Sequence, residues 1–167
     1  YWQPETKEAL TALLHELKPD VAIVVAYGRI IPPEALAIPR LGFINLHPSL
    51  LPRYRGPSPI QATITNGDAE TGATLMLLDA EVDHGPMLAQ IAEPILPTDT
   101  SETLYERLFT GGSRILEGII DQYMNNKSVL LKQAHTQATF TKHLFRQDGY
   151  IDSNNPPPKE ILDRMIR

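Results

Sequence analysis

Gly42-Phe43-Ile44-Asn45-Leu46-His47-Pro48-Ser49-Leu50-Leu51-Pro52 begins as a strand and ends as a stiff loop. Gly42 to Leu46 reads as a buried strand, and Pro48, Pro52, Pro57 and Pro59 restrain the chain beyond it. Side chains two apart on a strand leave the same face, so Asn45 and His47 present a carboxamide and an imidazole side by side at the strand's end. Upstream, Val21 to Ala26 is an apolar run rich in β-branched residues, the pattern of a parallel strand buried on both faces. It runs into a loop, Tyr27-Gly28-Arg29-Ile30-Ile31-Pro32-Pro33. Ahead of it, Ala9, Leu10, Leu13, Leu14 and Leu17 make one helical stripe that Pro19 stops.

Downstream, a short helix is expected from about Pro59 to Thr65, closing on the turn Asn66-Gly67-Asp68. Thr71 to Asp79 and Met87 to Ile95 read as two more strands with the Asp83 loop between them. A helix opens at Thr100 and carries Leu104, Leu108, Ile115, Ile119 and Ile120 to Met124, with an interruption or bend expected at Thr110-Gly111-Gly112-Ser113. Past Asn125 the pattern weakens, until Lys159 to Arg167 reads as helix again. Alternating strands and helices define an α/β domain with a mostly parallel sheet and flanking helices, whose ligands bind outside the carboxyl ends of the strands.

Composition narrows the function classes. With 15 Lys and Arg against 20 Asp and Glu, the formal charge of -5 argues against a surface built as a whole for nucleic acid, though Arg53 and Arg55 leave room for a local RNA contact. The absence of cysteine excludes disulfides and thiolate metal sites. The histidines at 15, 84, 135 and 143 lack zinc-ligand spacing, so no metal is expected. No stretch reaches the roughly 18 to 20 apolar residues of a membrane span, so no membrane partner is expected. Ser49 lacks the Gly-x-Ser-x-Gly setting of a nucleophilic serine, and Thr110 to Ser113 lacks the lysine of a phosphate loop.

At the strand's end, the amide of Asn45 can donate to an oxygen that gains charge during acyl transfer. Histidine can move a proton or hold a positive charge near neutral pH, and Asp83 can orient it. Singly, each has a plainer explanation: a structural His before Pro, a turn Asp in Asp83-His84-Gly85-Pro86.

Together they become specific. Asn45 through Gly56, Thr71-Gly72-Ala73-Thr74, and Asp83 at 36 positions beyond His47 resemble the 10-formyltetrahydrofolate-dependent formyltransferase family. The resemblance implies a Rossmann-like formyltransferase fold and catalytic roles for Asn45, His47 and Asp83. It implies a folate pocket from Arg29, Ile30 and Ile31 and from Ala80, Glu81 and Val82 ahead of Asp83, with Phe43 and Leu50 as further walls. For Ile30, Ile31 and Leu50 plain core packing is an equally good explanation. 10-Formyltetrahydrofolate would be the co-substrate.

Within the family, Arg53 to Gln61, Asn66 to Gly72 and Met87-Leu88 are similar to the branch acting on initiator methionyl-tRNA. The resemblance implies formyl transfer to its methionyl amine, in the bacterial cytoplasm or an organellar matrix. Residues 1-140 would be a catalytic domain truncated at its N-terminus, and 141-167 a linker toward a C-terminal β-barrel domain, with most of the tRNA-binding surface outside the chain. A sugar-nucleotide amine or glycinamide ribonucleotide are the other acceptors the family offers. A non-catalytic folate-binding or interaction fragment is the alternative from another class, separable by a folate titration beside a transfer assay.

Overall fold

A computed structural model describes all residues, 1–167. The elements are α1 (Lys7–Leu17), β1 (Ala22–Val25), α2 (Pro33–Leu36), β2 (Phe43–His47), α3 (Pro59–Asn66), β3 (Glu70–Leu77), β4 (Met87–Pro94), α4 (Ser101–Met124) and α5 (Lys159–Met165). The four strands form one sheet in the order β1-β2-β3-β4. No helix is long and apolar enough to cross a membrane.

The α/β architecture matches the expectation; the strand directions correct part of it. β1 and β2 are parallel, joined through α2, but β2 with β3 and β3 with β4 are antiparallel. Apolar runs report burial and are silent on direction. After His47 the chain passes through the proline loop and α3 before β3 returns alongside β2, pairing His47 with Thr74 and Ile44 with Leu77.

β2 sets two faces. Ile44 and Leu46 join Ala73, Leu75 and Tyr123 in a cluster under α4. Phe43 packs on the other face with Leu10 and Leu14 of α1 and with Ile31 and Ala35. β1 is covered on one face only, a second correction: Ala22 and Val24 pack against that α1 cluster, while Ile23 and Val25 are exposed. The core beneath α4 is built from β2 and β3, and those two β1 side chains lie outside it.

α4 begins at Thr100, whose hydroxyl accepts the Thr103 amide while the Thr103 hydroxyl accepts the Thr100 amide, a reciprocal cap. Asp99, just before it, is bonded by both terminal nitrogens of Arg107, which hold its carboxyl down at about 2. α5 lies near the same corner: Arg167 donates to the carbonyls of Asp99 and Leu96, and Arg164 reaches the carbonyl of Thr65.

Of the interruption or bend expected at Thr110 to Ser113, the interruption does not occur, because α4 runs unbroken through it. The glycines serve packing instead. A Cβ on Gly112 would lie 2.3 Å from Leu46 Cδ1, 2.8 Å from Cδ2 and 3.1 Å from Cγ, so the whole buried leucine would have to move. Gly118, on the same helix, faces open space. Two substitutions of one kind therefore have opposite expected signs in urea denaturation. Gly112→Ala destabilises by about 1–3 kcal/mol through overpacking, and Gly118→Ala stabilises by about 0.5–1 kcal/mol through helix propensity. Equal shifts at both positions would contradict this packing.

Candidate active site

Asn45 and His47 stand on the same face of β2 as Phe43, beyond the reach of the α1 cluster. The face is apolar at Phe43 and polar two and four residues on. Asp83 reaches them from the loop between β3 and β4. Because β3 ends opposite Ile44, that loop must turn back along β2 to bring Asp83 beside His47. Asp83 does so with φ 47°, in the left-handed region that Asp tolerates better than most side chains.

Asp83 Oδ2 accepts the Gly56 amide at 2.7 Å and lies 3.5 Å from His47 Nδ1. Its Oδ1 lies 3.4 Å from Asn45 Nδ2. Distances decide which contact dominates: the Gly56 bond is short and charge-assisted, whereas the other two are at the long limit of direct contact. Gly56 anchors the carboxylate, and Asn45 and His47 face it more loosely. The side chains of His47 and Asp83 are only 5% and 12% exposed, so solvent screens their interaction little.

His47 Nε2 lies 2.9 Å from the Tyr54 carbonyl. A carbonyl only accepts, so the partner of Nε2 assigns the hydrogen of the ring to that nitrogen and leaves Nδ1 as the other ring position. That position faces Asp83.

Two partners of the triad, Tyr54 O and Gly56 N, come from the proline loop, so its shape matters. Ser49 donates to the Arg53 carbonyl at 2.7 Å, and Thr74 of β3 donates to the Ser49 carbonyl at 2.7 Å. Gln90 of β4 donates to Leu51 O and Thr74 Oγ1. On the outer side Arg53 and Tyr54 both bond Asp68. The stretch around residue 140 closes the loop from the other side: the Arg55 amide donates to Thr139 O at 2.8 Å, and the Thr141 amide to Arg55 O at 2.7 Å. Gly56 has φ 100° and approaches Thr141 so closely that a Cβ would lie 2.7 Å from its carbonyl oxygen.

Three features around the site differ from the sequence reading or lie outside it. Arg55 is 4% exposed, with Nε and Nη2 on Gln133 Oε1 and Nη2 also on His135 Nδ1. Gln133, equally buried, donates to the carbonyls of Asp83 and Gly85. His84 pairs with Asp79 at 2.7 Å and stacks on His135 at 4.1 Å between centroids. Arg55, expected to leave room for an RNA contact, is instead turned inward, and nothing local marks Gln133.

The residues expected around a folate ring are distributed unevenly. Ile30 is 74% and Val82 54% exposed, and Arg29, Ala80 and Glu81 are exposed as well. Arg29 donates to the Glu5 carbonyl. Leu50 is half-buried against Gly72. Ile31 and Phe43 are buried in the core with Leu10 and Leu14. No group of three or more His, Cys, Asp or Glu side chains is arranged to hold a metal ion.

Comparison of this fold and side-chain set with known proteins gives a class. The model for the formyl transferase family matches residues 2–120, and the chain belongs to that family. Among its relatives are methionyl-tRNA formyltransferases. One from Roseiflexus sp. (strain RS-1) is 48% identical over 166 residues, covering 98% of this chain and 50% of the relative. Another from Chloroflexus aurantiacus (strain ATCC 29366 / DSM 635 / J-10-fl) is 41% identical over 167 residues, covering 99% and 53%. A crystal structure of an N-formyltransferase from Helicobacter canadensis, in complex with folinic acid and dTDP-3-aminofucose, is 28% identical with a TM-score of 0.63, covering 74% of this chain and 46% of that one. The chain spans about half the length of the curated relatives it matches.

The imidazole geometry is directly testable. Long-range nitrogen-15 spectra of the neutral His47 ring are expected to show the Nε2–H tautomer, with Nδ1 unprotonated. A dominant Nδ1–H tautomer would mean that the Tyr54 carbonyl does not hold the ring.

Proposed function

We propose that this chain is part of an enzyme that moves a formyl group from 10-formyltetrahydrofolate to the amino group of methionyl initiator tRNA, supplying translation initiation. The observation that carries this reading is the approach of both Asn45 and His47 to Asp83 within 3.5 Å at the end of β2. The methionyl-tRNA relatives, at 41% and 48% identity, favour this acceptor over the aminosugar of the more distant Helicobacter protein.

The reaction requires a neutral amine to attack the formyl carbon. A C–N bond forms, the carbonyl oxygen becomes an oxyanion, and the amine nitrogen becomes an ammonium. Collapse breaks the bond to N10 of the folate, which leaves with a proton. The net movement is one proton from amine to N10. The Asn45 amide has two N–H groups, of which Asp83 takes one, leaving one to stabilise the oxyanion. His47 Nδ1, or a water held by Asp83, receives the ammonium proton and returns it to N10. Asp83 fixes the imidazole and balances the charge that develops on it. Ile30 and Val82 offer uncovered apolar surface for the folate ring, and the Ala80 to Asp83 loop offers backbone groups to its polar edge.

In single-turnover assays with formylated folate and methionyl-tRNA, Asn45→Ala is expected to slow transfer by roughly 100- to 1,000-fold, the usual cost of one oxyanion donor. His47→Ala should be at least as severe. A His47→Ala protein with an unchanged rate would remove the imidazole from the mechanism. Ile30→Asp is expected to weaken folate binding in calorimetry, because it sets a charge against an apolar ring. Equal affinity in the two proteins would remove Ile30 from the pocket.

A further inference from the structure

We propose that Gln133 is a positioning residue of the site: it fixes the Asp83 loop in its working conformation and is itself aimed by the buried Arg55 guanidinium. This rests on the reading that Asp83 is a working carboxylate.

The single Gln133 amide nitrogen donates to two loop carbonyls, Asp83 O at 2.9 Å and Gly85 O at 2.8 Å. These flank the turn that places the Asp83 side chain. Asp83 has positive φ, a conformation that Asp reaches more readily than most side chains but that is only one of those open to it, so bonds to its backbone select it. Within the loop, the Asp79 side chain bonds the Glu81 amide and His84, and neither bond touches the Asp83 backbone. Gln133 is therefore the group that fastens the Asp83 backbone from outside the loop, 50 positions along the chain.

The other end of the amide explains why a glutamine is needed. Gln133 Oε1 accepts from Arg55 Nε at 3.2 Å and Nη2 at 2.7 Å. No carboxylate forms an ion pair with Arg55, so the oxygen meets an unneutralised buried cation. Hydrogen bonds in series polarise one another, and a cation on Oε1 strengthens donation from Nε2. It also settles the amide orientation, since a flipped amide would turn NH2 toward the guanidinium. Arg55 precedes Gly56, whose amide anchors the carboxylate. One arginine–glutamine pair thus links the backbone of the Asp83 loop to the residue next to the anchor of its side chain.

The Gly56 amide supplies the readout. Its peptide is also pinned by backbone bonds that do not involve Gln133, from the Arg55 amide to Thr139 O and from the Thr141 amide to Arg55 O. The proton shift of Gly56 N–H therefore reports where the Asp83 carboxylate sits. Amide spectra of this chain would be compared for wild type, Gln133→Met, Gln133→Glu and Asp83→Asn. Gln133→Met removes both functions of the amide, and Gln133→Glu keeps the Arg55 bond while removing the donor. Both are expected to move the Gly56 resonance from its wild-type position toward its Asp83→Asn position, because the loop that carries the carboxylate loses its support. A Gly56 resonance at its wild-type position in either variant would overturn the proposal. So would loss of the folded spectrum in both variants, because Gln133 would then be a general structural element. In transfer assays Gln133→Met should lower kcat by roughly 10- to 100-fold through misplacement of the carboxylate, with KM for folate little changed. Full transfer by Asp83→Asn would instead sink the parent reading, and the Gly56 shifts would still decide the role of Gln133.

Discussion

The short bond from the Gly56 amide to Asp83 is the constraint on which the site depends. A carboxylate beside a mostly buried imidazole is stable only where its own hydrogen-bond capacity is met, since an unpaired buried charge is costly. Gly56 meets much of that need at 2.7 Å, leaving the longer contacts with Asn45 and His47 free to respond to a substrate. For Gly56 to stand there, the proline loop must keep its shape, so Ser49, Thr74 and Gln90 brace it from the sheet side and Thr139 and Thr141 from the other. The same loop turns the Tyr54 carbonyl to His47 and so fixes which ring nitrogen faces Asp83.

Much of the scaffold is legible in the sequence because it follows from local rules. The α1 stripe, the boundary at Pro19 and the placement of four strands come from periodicity and punctuation. The same-face spacing of Asn45 and His47 is a property of any strand, and the structure keeps it. Strand direction is not local. A run such as Thr71 to Leu77 looks the same whether it returns antiparallel or crosses over, and the outcome depends on how the proline loop and α3 redirect the chain. β1 likewise reads as buried on both faces, although Ile23 and Val25 are open.

The two glycines of α4 show a different limit. Gly111-Gly112 has the propensity of a helix break, yet tertiary packing against Ile91 and Leu46 overrides it. At the site, Asp83 was found through resemblance to a family, because its loop looks like an ordinary turn. Gln133 is invisible to the sequence, and Arg55 reads there as a local RNA contact although it is buried against Gln133. Their partners lie 50 and 78 positions away, and no spacing rule reports a hydrogen bond between such distant segments. Ile31 and Phe43 show the converse: a motif position fixes a neighbourhood and leaves open whether the side chain points to ligand or core.

The central claim is that Asn45, His47 and Asp83 act as one unit in formyl transfer. Its most direct test is a double-mutant cycle on the single-turnover rate, comparing Asn45→Ala, Asp83→Asn and the double variant. Residues that work as a unit are grossly non-additive, so the double variant should be little slower than the worse single one. Fully multiplicative losses would contradict the claim and leave two residues acting independently near one strand end.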